Sequence, residues 1–149
     1  MLYDLAAART PEQRRRMQSL EEAGVCVFCL GQDSASHPTE VVISGEHWYV
    51  RQNEFPYRGT RGHWLLVPYR HVSSFDELPD DAGRELWSLR RQLKELVPGP
   101  AAATVERSGD MRYNGGSIAH LHVHFVVPDE SPNATVRFKL SRTAYVAGA

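Results

Sequence analysis

The chain has only two cysteines, Cys26 and Cys29, too few for a disulfide-stapled scaffold and spaced like a metal knuckle or a redox pair. It is also nearly neutral. Seventeen Lys and Arg against 18 Asp and Glu leave a formal charge of −1, so the broad basic field of a nucleic-acid binder is absent and any anion must be held locally. No apolar run reaches the roughly 18 residues of a membrane-spanning helix. The segment Met1–Leu5 lacks the basic start and apolar stretch of a signal peptide. A soluble, cytoplasmic protein with no membrane partner is the expectation. Neither Gly-x-Gly-x-x-Gly nor a P-loop occurs, which argues against a doubly wound nucleotide fold.

What is there suits one domain: 149 residues, 42% hydrophobic, with room for a real core. Thr10-Pro11-Glu12-Gln13 reads as a helix start, with Thr10 as N-cap, Pro11 in the first turn and Gln13 reaching back. That helix is expected over about 11–23 and stops at Gly24. Arg14-Arg15-Arg16 on it reads as a solvated face. A polar loop from Gly31 to Pro38 precedes a hairpin with strands near Thr39–Ile43 and His47–Gln52. Trp64–Val67 reads as a central strand ended by Pro68. Leu78-Pro79-Asp80-Asp81 opens a second helix on which Leu86, Leu89, Leu93 and Leu96 recur, and Pro98-Gly99-Pro100 terminates it. Ala102–Arg107 predicts another strand, Gly109–Gly116 a loop, and Thr135–Leu140 a late strand or extended arm within a C-terminal stretch of about 129–149. The order predicts an α+β fold: an antiparallel sheet of about five strands with helices packed on it.

The richest segment is His120-Leu121-His122-Val123-His124-Phe125-Val126. On a strand its three imidazoles share one face while Leu121, Val123, Phe125 and Val127 cover the other. On a helix they would fan apart. Three imidazoles buried merely for packing would leave several ring nitrogens needing partners, which is costly without a role. A metal site or a phosphoryl-transfer site is the expectation.

Attack on phosphorus needs a neutral ring nitrogen, which requires that the other nitrogen donate its proton to a fixed acceptor. His122, central in the row, is best placed for this, and His124 could orient the row or bond a phosphate oxygen. The backbone N–H groups of Gly115-Gly116-Ser117, with the Ser117 hydroxyl, could hold non-bridging oxygens. Cys26 and Cys29 need two further ligands to close a tetrahedral zinc site, and His71 and His120 are the candidates. Such a zinc is structural, with no position left for water. Two ordinary buried thiols or a disulfide remain the alternatives there.

These residues resemble the histidine triad superfamily of nucleotide hydrolases and transferases over roughly Cys26 to Pro128. Carrying the resemblance are Cys26-Val27-Phe28-Cys29, Asn53-Glu54-Phe55-Pro56-Tyr57, Gly62-His63-Trp64 through His71, and Gly115-Gly116-Ser117-Ile118-Ala119-His120-Leu121-His122-Val123-His124. The resemblance implies an α+β homodimer acting on the α-phosphate of a nucleotide through His122. It implies His63 as a supporting residue and Asn53 near the ribose. It implies zinc on Cys26, Cys29, His71 and His120, with no organic cofactor. Two departures stand out. Gly109 and Gly116 occupy places where the family often has Asn or Gln, which removes polar contacts to substrate. The intact triad favours hydrolysis of dinucleoside polyphosphates or phosphoramidates over transfer or phosphorolysis. A nucleotide-binding module without catalysis, and a catalytic transition-metal site on the histidine row, are the competing readings.

Overall fold

The computed structural model describes residues 1–32, 39–131 and 135–140. The elements run α1 (Pro11–Ala23), β1 (Val41–Ser44), β2 (Trp48–Gln52), β3 (Thr60–Pro68), α2 (Asp80–Leu96), β4 (Ala103–Arg107), α3 (Met111–Asn114) and β5 (His122–Pro128). The five strands form one antiparallel sheet in the order β1-β2-β3-β5-β4. The fold class expected from the sequence is therefore the one observed. Most of the Gly31–Pro38 loop lies outside the described residues.

Helix α1 starts as its sequence dictates. The Thr10 hydroxyl accepts the N–H of Gln13 at 3.1 Å, and Gly24 closes the helix with a φ of 66° that a side chain would resist. Gln13 reaches one residue further than a capping box does, accepting the N–H of Arg9 at 2.8 Å. In α2, Asp80 and Asp81 sit at the positive end of the helix dipole.

Alternation along the strands separates two cores. Trp48, Val50, Leu66, Leu121, Val123, Phe125 and Val127 turn to α2, where Leu86, Leu89 and Leu93 complete the cluster. Tyr49, Leu65 and Val67 turn to the opposite face, packed by Tyr3, Met17, Leu20, Cys26, Val27 and Phe28. Each fully buried leucine contributes about 1.5–3 kcal/mol. Leu96, expected on the apolar stripe, is the last residue of α2 and is 63% exposed.

One further expectation needs correction. The Gly109–Gly116 stretch is no plain loop: Asp110 caps the single turn α3 by accepting the Arg112 N–H at 2.9 Å. Of the late strand and the extended arm expected over residues 135–140, only the arm is found. This arm crosses the histidine face, with Phe138 edge-on to Tyr57 at 5.3 Å between ring centroids. The arm is seated there by the Lys139 carbonyl, which accepts from Arg107 Nη1, and by the Phe138–Tyr57 ring contact.

Among the described residues no helix is long and apolar enough to cross a membrane. The packing yields a paired test. Leu89→Ala removes a side chain 2% exposed and is expected to cost about 2–5 kcal/mol in denaturant unfolding. Trp87→Ala, on the outer side of α2 and 64% exposed, should stay within about 0.5 kcal/mol.

Candidate active site and metal cluster

β5 lies between β3 and β4, so its outward-turned residues are flanked on both sides. His124 pairs with Leu65 on β3 and Val105 on β4, and His122 pairs with Arg107. His63 on β3 shares that face, and its Nε2 lies 2.8 Å from His124 Nδ1. One correction concerns His120. β5 begins at His122, and His120 precedes it on irregular chain, where its ring turns towards the two thiols. The row is thus split: two histidines stay on the strand and one serves the cysteines.

The hydrogen bonds assign the protons. His122 Nδ1 donates to the carbonyl oxygen of His120 at 2.7 Å. That leaves Nε2 as the lone-pair nitrogen, and the ring lines a cavity beside His124, Tyr57 and Ser117. The Tyr57 N–H donates to His63 Nδ1 at 3.0 Å. His63 must then carry its proton on Nε2 and donate it to His124 Nδ1, which leaves the His124 proton on Nε2. A donor relay therefore ends in an N–H next to a bare nitrogen.

Burial keeps these rings neutral. It lowers His122 to about 4, opposed by the His120 carbonyl and aided by nearby Arg107. Burial likewise lowers His63 to about 3 and His124 well below the usual range. His122 and His124 are 4% and 6% exposed, so both reach only the cavity.

The glycine loop is held from outside. The N–H of Asp4 donates to the Ser117 carbonyl at 3.0 Å and that of Ala119 to Leu2 at 2.8 Å. The Gly116 N–H is already taken by Asn114 Oδ1 at 2.6 Å. It is not free for a phosphate, a correction to the three-amide cradle expected from Gly115-Gly116-Ser117. Gly115, at φ 70°, lies so close to the Lys139 carbonyl that a Cβ there would overlap its oxygen. Ser117 lines the cavity. Asn53 lines it too, but its Oδ1 accepts the Phe55 N–H at 3.0 Å and its amide nitrogen lies 3.2 Å from His63 Nε2.

Cys26, Cys29, His71 and His120 converge as a second cluster, their ligand atoms all within 4.8 Å of one another. Both cysteines are free. His71 Nδ1 is 3.1 Å from Cys29 Sγ, and His120 Nδ1 is 3.4 Å from Cys26 Sγ. Ligands about 2.0–2.3 Å from a tetrahedral ion stand roughly 3.3–3.8 Å apart, so the spacing fits a metal with little movement. His120 Nε2 donates to the Pro68 carbonyl at 3.0 Å, the outer bond that orients a ligating imidazole. Burial pushes the Cys26 thiol up to about 12, with Cys29 adding to it, a cost that a bound cation reverses. The cluster can hold a metal ion.

The family described as "Scavenger mRNA decapping enzyme C-term binding" matches residues 25–138. The chain belongs to the histidine triad family. It is 28% identical over 123 residues to an uncharacterized HIT-like protein of Methanocaldococcus jannaschii, covering 76% of this chain and 87% of that one. An AP-4-A phosphorylase of Mycobacterium tuberculosis is 32% identical over 89 residues, which cover 58% of this chain and 45% of the relative. Among solved structures, a Zn-bound histidine triad family protein from Mycobacterium smegmatis superposes with a TM-score of 0.57 at 20% identity, covering 79% of this chain and 84% of that one. That likeness establishes the histidine triad fold.

Sequence reasoning missed Arg107. Arg107 was legible only as the end of a strand, although its register opposite His122 follows once β4 and β5 are paired.

Histidines held neutral by burial carry a stability cost in acid. The unfolded chain binds protons from about pH 6.5 downward while the folded His63 does not. Stability is therefore full above about 6.5 and falls as pH drops towards the folded value. Between pH 7 and 5 the native chain should lose roughly 1–2 kcal/mol more than His63→Gln, read by urea unfolding at both pH values.

Proposed function

We propose that the chain is a nucleotide hydrolase that cleaves nucleoside 5′-phosphate derivatives, such as dinucleoside polyphosphates or phosphoramidates, at the α-phosphate. The observation that carries this reading is the 2.7 Å bond from His122 Nδ1 to the His120 carbonyl, which leaves Nε2 bare on a cavity wall. In the first step Nε2 attacks the α-phosphorus, a P–N bond forms, and the bond to the leaving group breaks with its electron pair. The His124 Nε2–H is placed to hydrogen-bond the leaving-group oxygen or a phosphoryl oxygen as negative charge builds on it. In the second step water attacks phosphorus and gives up one proton to solvent while the P–N bond breaks with its electron pair returning to Nε2, which restores the neutral His122 ring. Asn53 and Ser117 hold the substrate from the cavity wall.

Phosphorolysis is the second reading, supported by the AP-4-A phosphorylase relative, whose match spans 45% of that protein. The two differ in one product: phosphorolysis puts added phosphate into the product, and hydrolysis puts in water oxygen.

The metal in this reading is zinc, on Cys26, Cys29, His71 and His120. It supplies no chemistry to substrate but fixes His120, whose carbonyl orients the nucleophile. The functional unit in this reading is a homodimer, supported by β4, an edge strand whose Ala103 and Thr104 are exposed and ready to pair with a second copy.

Incubation with adenylylated and guanylylated substrates, with products identified by mass, tests the activity. Turnover is expected in the native protein and a loss of at least about 10³-fold in His122→Ala. A His122→Ala variant with full turnover would refute the mechanism. For zinc, elemental analysis is expected to find one ion per chain. Chelation should lower the melting temperature of the native protein and leave that of Cys26→Ser unchanged.

A further inference from the structure

Arg107 ends β4 on the histidine face and pairs across the ladder with His122. Its side chain is 2% exposed, yet all its partners are neutral. Nη1 donates to the carbonyls of Asn114 and Lys139, and Nη2 makes a long 3.3 Å bond to the Tyr57 hydroxyl. Nε is buried with no partner. Among the described residues no carboxylate reaches Arg107 within 4.0 Å. A buried guanidinium without a counter-ion is costly, and proteins rarely keep one unless an anion completes it.

The surroundings point the same way. Arg9, Arg137 and Lys139 line the same cavity as Arg107 and His122. Among the described residues on that wall the single acid, Glu54, is already engaged by Arg16 at 3.7 Å. Cations therefore outnumber acids around a bare nucleophilic nitrogen in a chain whose overall charge is −1. Of the guanidinium's edges, the one formed by Nε and Nη2 is the least satisfied, with one N–H unpartnered and the other on a long bond to a phenol. Such an edge matches two oxygens of a phosphoryl group.

We propose that Arg107 is a substrate-binding residue of this site, its Nε–Nη2 edge taking the non-bridging oxygens of the phosphoryl group seated against His122. The Asn114 and Lys139 carbonyls on Nη1 hold the fork in place, so the C-terminal arm and the α3 turn aim the cation. This rests on the nucleotide reading above for the identity of the anion. It adds the residue that selects a charged ligand over a neutral one.

The test is the affinity of the purified protein for AMP, adenosine and inorganic phosphate, measured by calorimetry on the native chain, Arg107→Met and Arg107→Lys, each first checked by thermal melt. The native chain is expected to prefer AMP to adenosine. In Arg107→Met AMP affinity should fall about 10- to 100-fold with adenosine affinity unchanged. Arg107→Lys should recover part of the preference. If the Met variant does not fold, the Lys variant decides: a larger loss for AMP than for adenosine supports the assignment. Equal losses for the two ligands, or unchanged AMP affinity, overturn it and leave Arg107 as a clamp for the arm. If the native chain binds neither AMP nor adenosine, the nucleotide reading fails instead. Phosphate then decides: binding that Arg107→Met abolishes keeps the assignment, and absent or unaltered phosphate binding removes it.

Discussion

A single hydrogen bond organises the histidine face: the one from His122 Nδ1 to the carbonyl of His120. It fixes which ring nitrogen holds the proton, and so which one faces the cavity with a lone pair. His120 and His122 are 1% and 4% exposed, so the bond is sheltered from bulk water. The bond is short-range in sequence, but its geometry is not local. It needs His120 off the strand and His122 on it, which happens because the chain leaves the thiol cluster just where β5 begins.

Everything around this bond serves one of two purposes. The Cys26–Cys29 knuckle, His71 and the Pro68 carbonyl hold His120 from behind. On the other side, Tyr57, His63 and His124 pass a donor along a line that ends beside the bare nitrogen. The apolar face of β5, packed on α2 through Val123, Phe125 and Val127, gives the strand a rigid backing. In the proposed reaction, a nucleophile placed this way gains from orientation as well as from its protonation state.

Much of this was legible beforehand. Helix α1 and its caps follow from Thr10, Pro11 and Gly24, and the period-two pattern of the histidine segment located both faces of β5. The Cys26, Cys29, His71 and His120 set was named from ligand chemistry, and the structure brings all four together. What escaped was tertiary. The Gly116 amide faces Asn114, a partner two residues away that only the α3 turn makes available. Arg107 has no motif to mark it, since its meaning arises from pairing with His122 across the sheet. For residues 135–140 the sequence left a late strand and an extended arm both open, and the arm's position follows only from the Arg107 guanidinium and the Tyr57 ring that it meets.

The most direct measurement of the central claim is histidine NMR on nitrogen-labelled protein near pH 7, which distinguishes the two neutral tautomers from the imidazolium. The account predicts that His122 is neutral, with its proton on Nδ1 and Nε2 unprotonated. It follows that this resonance should stay unchanged until the pH approaches its folded value of about 4. A His122 ring protonated on Nε2 at neutral pH would contradict it, for then no lone pair faces the cavity.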